Sequence, residues 1–124
     1  MSDKPKVLLV EDDSLMQEIV CMSLESCADV VVVGSVHAAR VILKSESCFD
    51  LVILDGRVPF FDNGPLHPED TTTFLAYCIA QEFNIPMYAF SGDDSLNEAL
   101  VKAGCEDTNK FTAIDAVKHA LLKK

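Results

Sequence analysis

Acidic residues stand where two apolar runs stop. Val7-Leu8-Leu9-Val10 leads into Glu11-Asp12-Asp13, and Leu51-Val52-Ile53-Leu54 leads into Asp55, which Gly56 follows at once. Short apolar runs with β-branched residues suit strands covered on both faces, as in a parallel sheet. Each run therefore delivers carboxylates at a strand's C-terminal lip. If those lips adjoin, the carboxylates repel one another and their pKa values rise unless something positive sits between them. A hard divalent cation such as Mg²⁺ answers that need with oxygen ligands and leaves positions for water or phosphate. A carboxylate can also act as a nucleophile and form an aspartyl-phosphate. Ser91, after the short run Met87 to Phe90, offers a hydroxyl, and Lys110 offers a mobile positive charge. Metal, ammonium and hydroxyl around one carboxylate would stabilise a phosphoryl group in flight.

The rest of the chain must bring these exits together. Asp13 or Ser14 can cap a helix, with Gln17 three residues after Ser14 as a capping-box partner. Leu15, Met16, Ile19, Val20 and Leu24 recur at helical spacing through about Cys27. Val30 to Val33 reads as a second strand, and Ala38, Val41 and Ile42 as a short second helix. Gly56 to Asp70 is a long irregular loop with three prolines and the pair Phe60-Phe61. Phe74, Leu75, Cys78, Ile79 and Phe83 form a helical stripe that reads as core. Met87 to Phe90 is a fourth strand, and Leu96, Ala99, Leu100 and Ala103 mark a helix closed by Gly104 as a left-handed cap. Alternation places a fifth strand over Cys105 to Lys110, a stretch too polar to announce one by composition. Thr112 resembles a cap for a last amphipathic helix carrying Ile114, Val117, Ala120 and Leu121. Strand and helix alternating five times predict a doubly wound parallel sheet with helices on both faces. In the order 2-1-3-4-5, the ligand crevice lies between the first and third strands, where Glu11, Asp12 and Asp55 emerge.

A chain of 124 residues with nearly half of them apolar predicts one domain with a packed core. The net charge of −10 argues against nucleic-acid or anionic-membrane partners, which need positive surface. Cys21, Cys27, Cys48, Cys78 and Cys105 show no CxxC pair, which fits neither a disulfide framework nor a zinc site; most read as small core residues in a reducing compartment. No apolar leader or membrane-length run is present, so the expected localisation is cytoplasmic. His37, His67 and His119 lack ligand spacing and read as surface residues.

Taken in order, these residues resemble the receiver domain of bacterial two-component response regulators, of the single-domain, chemotaxis-regulator-like kind. The resemblance is carried over essentially the whole length by Val10-Glu11-Asp12-Asp13, Asp50-Leu51-Val52-Ile53-Leu54-Asp55, Val58-Pro59, Ser91-Gly92 and Lys110-Phe111. It implies a flavodoxin-like fold with five strands and a single receiver domain over residues 1–124. It implies that Asp55 accepts phosphate from a phosphohistidine on a histidine kinase or histidine phosphotransfer protein. Glu11, Asp12, Asp55 and the backbone carbonyl of Arg57 would hold Mg²⁺, and Ser91 and Lys110 would contact the phosphoryl oxygens. The output would be a changed protein-binding surface read by a downstream protein target, with no enzymatic activity beyond the protein's own phosphorylation and dephosphorylation. The chain departs from the family pattern in four places. Phe111 stands where a proline usually follows the lysine, and Asp107 where an aromatic is common. The stretch from Gly104 to Lys110 is one residue short, and the loop after Asp55 is several residues long.

Plainer readings exist for each residue: Asp12 and Asp13 as helix-capping acids, Ser91 as a turn former with Gly92, Lys110 as a solvated lysine, and Phe60 with Phe61 as packing for the loop. The main functional alternative is a receiver-like interaction module that works without phosphorylation. A haloacid-dehalogenase-type phosphotransferase would want a second acid where Arg57 stands. A flavodoxin-like electron carrier would want a hydroxyl- and glycine-rich phosphate loop where Glu11, Asp12 and Asp13 stand.

Overall fold

The computed structural model describes residues 4–46, 48–67 and 71–123. Four parallel strands, β1 (Lys6–Val10), β2 (Asp29–Val33), β3 (Leu51–Leu54) and β4 (Met87–Ala89), lie in the order 2-1-3-4. Five helices accompany them: α1 (Ser14–Leu24), α2 (Val36–Ser45), α3 (Thr73–Cys78), α4 (Asp94–Lys102) and α5 (Ala113–Leu122). α3 runs on as a π-helical segment, Ile79–Phe83, which ends at the left-handed Asn84 with φ 53°. No helix among the described residues is long and apolar enough to cross a membrane.

Alternating side chains of the central strands divide the core in two. Leu8, Val10, Val52, Leu54, Met87 and Ala89 pack with residues of α2, α3 and α4 on one face. Val7, Leu9, Leu51, Ile53, Tyr88 and Phe90 pack with α1 and α5 on the other. β1 and β3 bury every apolar residue they carry on both faces, which is why both read as unbroken apolar runs.

The expected fifth strand is not formed. The stretch from Cys105 to Lys110 follows the free edge of β4 but makes a single parallel bridge, Tyr88 with Glu106. The ladder's spacing nevertheless survives. The N–H of Glu106 donates to the Met87 carbonyl at 2.8 Å, and the N–H of Lys110 donates to the Ser91 carbonyl at 3.0 Å. Between them, Thr108 turns its N–H back to the Glu106 carbonyl at 2.9 Å, and its hydroxyl donates to the Ala89 carbonyl at 2.8 Å instead. A side-chain donor thus replaces a backbone one, so the stretch keeps β4's register without being a strand.

Several local expectations are also corrected. Asp13 caps α1, accepting from the N–H groups of Leu15 and Met16, and Gln17 forms no capping box; its amide donates to the Glu11 carbonyl at 2.6 Å. Thr112 does not cap α5. Asn109 does the turn's work, accepting from the N–H groups of Phe111 and Thr112. Phe74 is 61% exposed, so the stripe is core at Leu75 and Ile79, with Phe83 half-buried against it. Of the cysteines only Cys105 is fully buried, and burial pushes its thiol up to about 12; Cys48 is exposed. His37, His67 and His119 are all exposed, as expected.

Thr108→Val, which keeps the shape and removes the hydroxyl, should leave the buried Ala89 carbonyl short of a donor. The expected loss is about 1–3 kcal/mol of unfolding free energy in a denaturant titration. An unchanged midpoint would mean that the hydroxyl does not replace the missing ladder bond.

Candidate functional site

β1 and β3 are neighbours, with Val10 paired to Leu54, so the residues that follow each strand emerge side by side. The N–H of Glu11 donates to the Val33 carbonyl and that of Asp55 to the Val10 carbonyl, each at 3.0 Å, extending the ladder to the acidic residues themselves. Carboxylate oxygens of Glu11, Asp12 and Asp55 lie within 4.8 Å of one another. Glu11 is buried, Asp55 half-buried and Asp12 exposed.

The chain is held firmly around Asp55. The Gly56 N–H donates to its carboxylate at 2.8 Å, and the Thr72 hydroxyl donates to its main-chain carbonyl at 2.5 Å. The Thr72 N–H donates to the Gly56 carbonyl, and Arg57 pairs with Thr71 in an isolated antiparallel bridge that closes the base of the long loop. In this register Arg57 is a non-hydrogen-bonded pair partner, so its own carbonyl is directed away from Thr71. Gly56 has no room for a side chain: a Cβ there would stand 2.8 Å from Leu96 Cβ and 3.0 Å from Ser91 Cβ. That close approach brings the start of α4 against the Asp55 exit.

A cavity of about 330 Å³ opens over the acids, lined among others by Arg57, Leu66, Ser91 and Lys110. The sheet thus brings together all six residues singled out from the sequence: Glu11, Asp12, Asp55, Arg57, Ser91 and Lys110. Ser91 is buried, and its Oγ accepts from the Asp93 N–H at 3.1 Å while its O–H hydrogen remains to be donated. The Lys110 side chain crosses Gly92, where a Cβ would lie 3.8 Å from Lys110 Cδ. Arg57 lines this cavity, and its Nε is buried with no hydrogen-bond partner among the described residues.

The electrostatics are those of acids without enough positive charge. Burial first, and then the Asp55 carboxylate, push Glu11 up to about 9. Burial likewise raises Asp55, against the lowering effect of its bonds to Glu11 and the Gly56 N–H and of the Lys110 charge. Asp93, on the rim, is held below the usual carboxylate range, chiefly by the Ser95 hydroxyl and last by the Arg57 charge.

Sequence reading missed the supports of this site. Gln17, Thr72, Asn97 and Thr108 act through hydrogen bonds to main-chain atoms, which have no motif. A buried-facing polar residue on an otherwise apolar helix face, as at Asn97, was the one available signal.

No family model matches the sequence, and no curated protein matches it. Solved structures do. A response regulator receiver protein from Pseudomonas putida superposes with a TM-score of 0.76 at 22% identity, over 100% of both chains. The Francisella response regulator 1452 receiver domain gives 0.72 at 21%, covering 97% of this chain and 95% of its own. A response regulator from Thermotoga maritima gives 0.69 at 22%, covering 98% and 99%.

A raised acid binds a proton in the folded state that it releases on unfolding, so its contribution to stability falls as pH rises between the unfolded and folded values. For Glu11 that window runs from 4.5 to about 9. In EDTA, the melting temperature should therefore fall as pH is raised across this range, and Glu11→Gln should flatten the fall and melt higher than the parent at pH 8. A parallel decline in the variant would show that Glu11 carries no such cost. By architecture, strand order and near-complete superposition, this chain has the fold of a response-regulator receiver domain.

Proposed function

We propose that the protein is a phosphoacceptor in two-component or phosphorelay signalling, with Asp55 as the acceptor. The observation that carries this reading is the meeting of three carboxylates within 4.8 Å on a cavity that also holds a lysine and a serine hydroxyl. The donor set fits Mg²⁺: all hard oxygens, from acids whose mutual repulsion and burial leave negative charge in need of a cation. Glu11, Asp12, Asp55 and the Arg57 carbonyl would hold the ion. When bound, it would supply positive charge opposite the phosphoryl oxygens.

The chain's own residues account for the rest. An Asp55 carboxylate oxygen attacks the phosphorus of a phosphohistidine on a histidine kinase or histidine phosphotransfer protein. The P–O bond forms as the P–N bond breaks, and the imidazole leaves and takes up a proton. The Ser91 O–H donates to one phosphoryl oxygen and the Lys110 ammonium to another, and both interactions strengthen as charge gathers on those oxygens. Reversal by water attack at phosphorus returns the carboxylate and releases inorganic phosphate. The signal would be a changed surface offered to a downstream protein. A second reading, an interaction module that never takes phosphate, draws on the missing fifth strand; Lys110 bonded to Ser91 weighs against it, because the register that delivers the lysine is kept.

Incubation with acetyl phosphate and Mg²⁺, followed by intact mass spectrometry, tests the reading. The expected result is one phosphate adduct that needs Mg²⁺ and is absent from a folded Asp55→Asn variant. No adduct on a folded, Mg²⁺-binding parent would favour the phosphorylation-independent module. In the same assay Lys110→Ala should slow phosphate uptake by about tenfold or more while leaving Mg²⁺ binding in place; an unchanged rate would remove the lysine from the mechanism.

A further inference from the structure

Asn97 lies within α4, 6% exposed, and both ends of its carboxamide are used on one residue. Its Oδ1 accepts from the Ser91 N–H at 3.1 Å, and its Nδ2 donates to the Ser91 carbonyl at 2.9 Å. Only this orientation of the amide satisfies both partners. The same Ser91 carbonyl accepts the Lys110 N–H at 3.0 Å. Two bonds to one main-chain unit fix its rotation as well as its position, which a single bond would not. A buried amide also carries a desolvation cost that a leucine at this place in the core would not. Neither bond holds α4 itself together, since both reach out of the helix to the turn after β4.

We propose that Asn97 is a positioning residue for phosphoryl transfer: by clamping the Ser91 main chain, it sets where the Ser91 hydroxyl stands relative to Asp55. The inference rests on the phosphoacceptor reading of the site. Asn97 does not itself line the cavity over the acids; it acts through Ser91, which does. It predicts that phosphoryl transfer, which needs the hydroxyl in place, depends on Asn97, while Mg²⁺ binding, which needs only the acids, does not. Small displacements of catalytic groups carry large rate costs.

The experiment compares the parent with Asn97→Leu, Asn97→Ala, Ser91→Ala and the Ser91→Ala/Asn97→Leu double variant. Each is assayed for the initial rate of phosphorylation by acetyl phosphate at saturating Mg²⁺ and for its Mg²⁺ midpoint. Asn97→Leu is expected to slow the rate by about tenfold or more with the Mg²⁺ midpoint unchanged. With the hydroxyl already absent, the same change should cost less than about threefold, a non-additivity that a general structural role would not give. Should Asn97→Leu fail to fold, Asn97→Ala decides, since its smaller side chain leaves room for the turn and is expected to slow the rate in the same direction. Parent-like rates, equal losses in both backgrounds, or a fall in Mg²⁺ affinity alongside the rate would each overturn the inference. A parent that takes no phosphate at all would overturn the phosphoacceptor reading and this inference with it; a phosphorylated parent with indifferent Asn97 variants would overturn the inference alone.

Discussion

Three carboxylates held at the ends of two adjacent parallel strands are the constraint on which the rest depends. β1 and β3 pair in register up to Val10 and Leu54, so Glu11 and Asp55 have no freedom to separate. The sheet core enforces this contact: the apolar side chains of both strands are buried on either face, and each contributes on the order of 1.5–3 kcal/mol. Packing thus maintains an electrostatic arrangement that the acids by themselves would abandon. The result is a buried glutamic acid with a strongly raised pKa beside a half-buried aspartate. A site in that condition gains from any cation that enters it.

Around this fixed charge the molecule arranges the hydroxyl and the ammonium through main-chain register. Ser91 and Lys110 belong to segments far apart in sequence, and they meet because the Lys110 N–H reaches the Ser91 carbonyl at the edge of β4. The loss of a regular fifth strand does not disturb that contact, because the Thr108 hydroxyl takes over the intermediate position. Gly56 completes the geometry from the other side by letting α4 approach the Asp55 exit. The chain therefore holds acid, hydroxyl and ammonium around one cavity without a regular fifth strand.

Much of this was legible in the sequence. Apolar runs that stop on acids announced β1 and β3, because four apolar residues rich in β-branched types and cut off by acids are too short for a helix. All six residues picked from strand exits and their sequels do share one cavity. The failures have physical causes. Cys105 to Lys110 was expected as a strand by alternation alone, and its polarity was the true signal: a stretch whose donor is a threonine side chain does not need strand-forming residues. Thr112 looked like a cap, but its hydroxyl accepts from the Asn109 N–H, behind the helix start, instead of from the first turn of α5. Phe74 looked like core by spacing, yet α3 is short and turns that side outward. The supports at Gln17 and Thr72 were invisible because each bonds a main-chain carbonyl, a contact that leaves no residue pattern in the sequence.

The most direct test of the central claim is a crystal structure of the protein grown with Mg²⁺ and beryllofluoride, a tetrahedral mimic of a phosphoryl group that bonds to carboxylate oxygen. The account predicts the mimic on Asp55, Mg²⁺ among Glu11, Asp12 and Asp55, and fluorines within reach of the Ser91 hydroxyl and the Lys110 ammonium. Mg²⁺ seated on the acids with no mimic on Asp55, or the mimic on another residue, would contradict it.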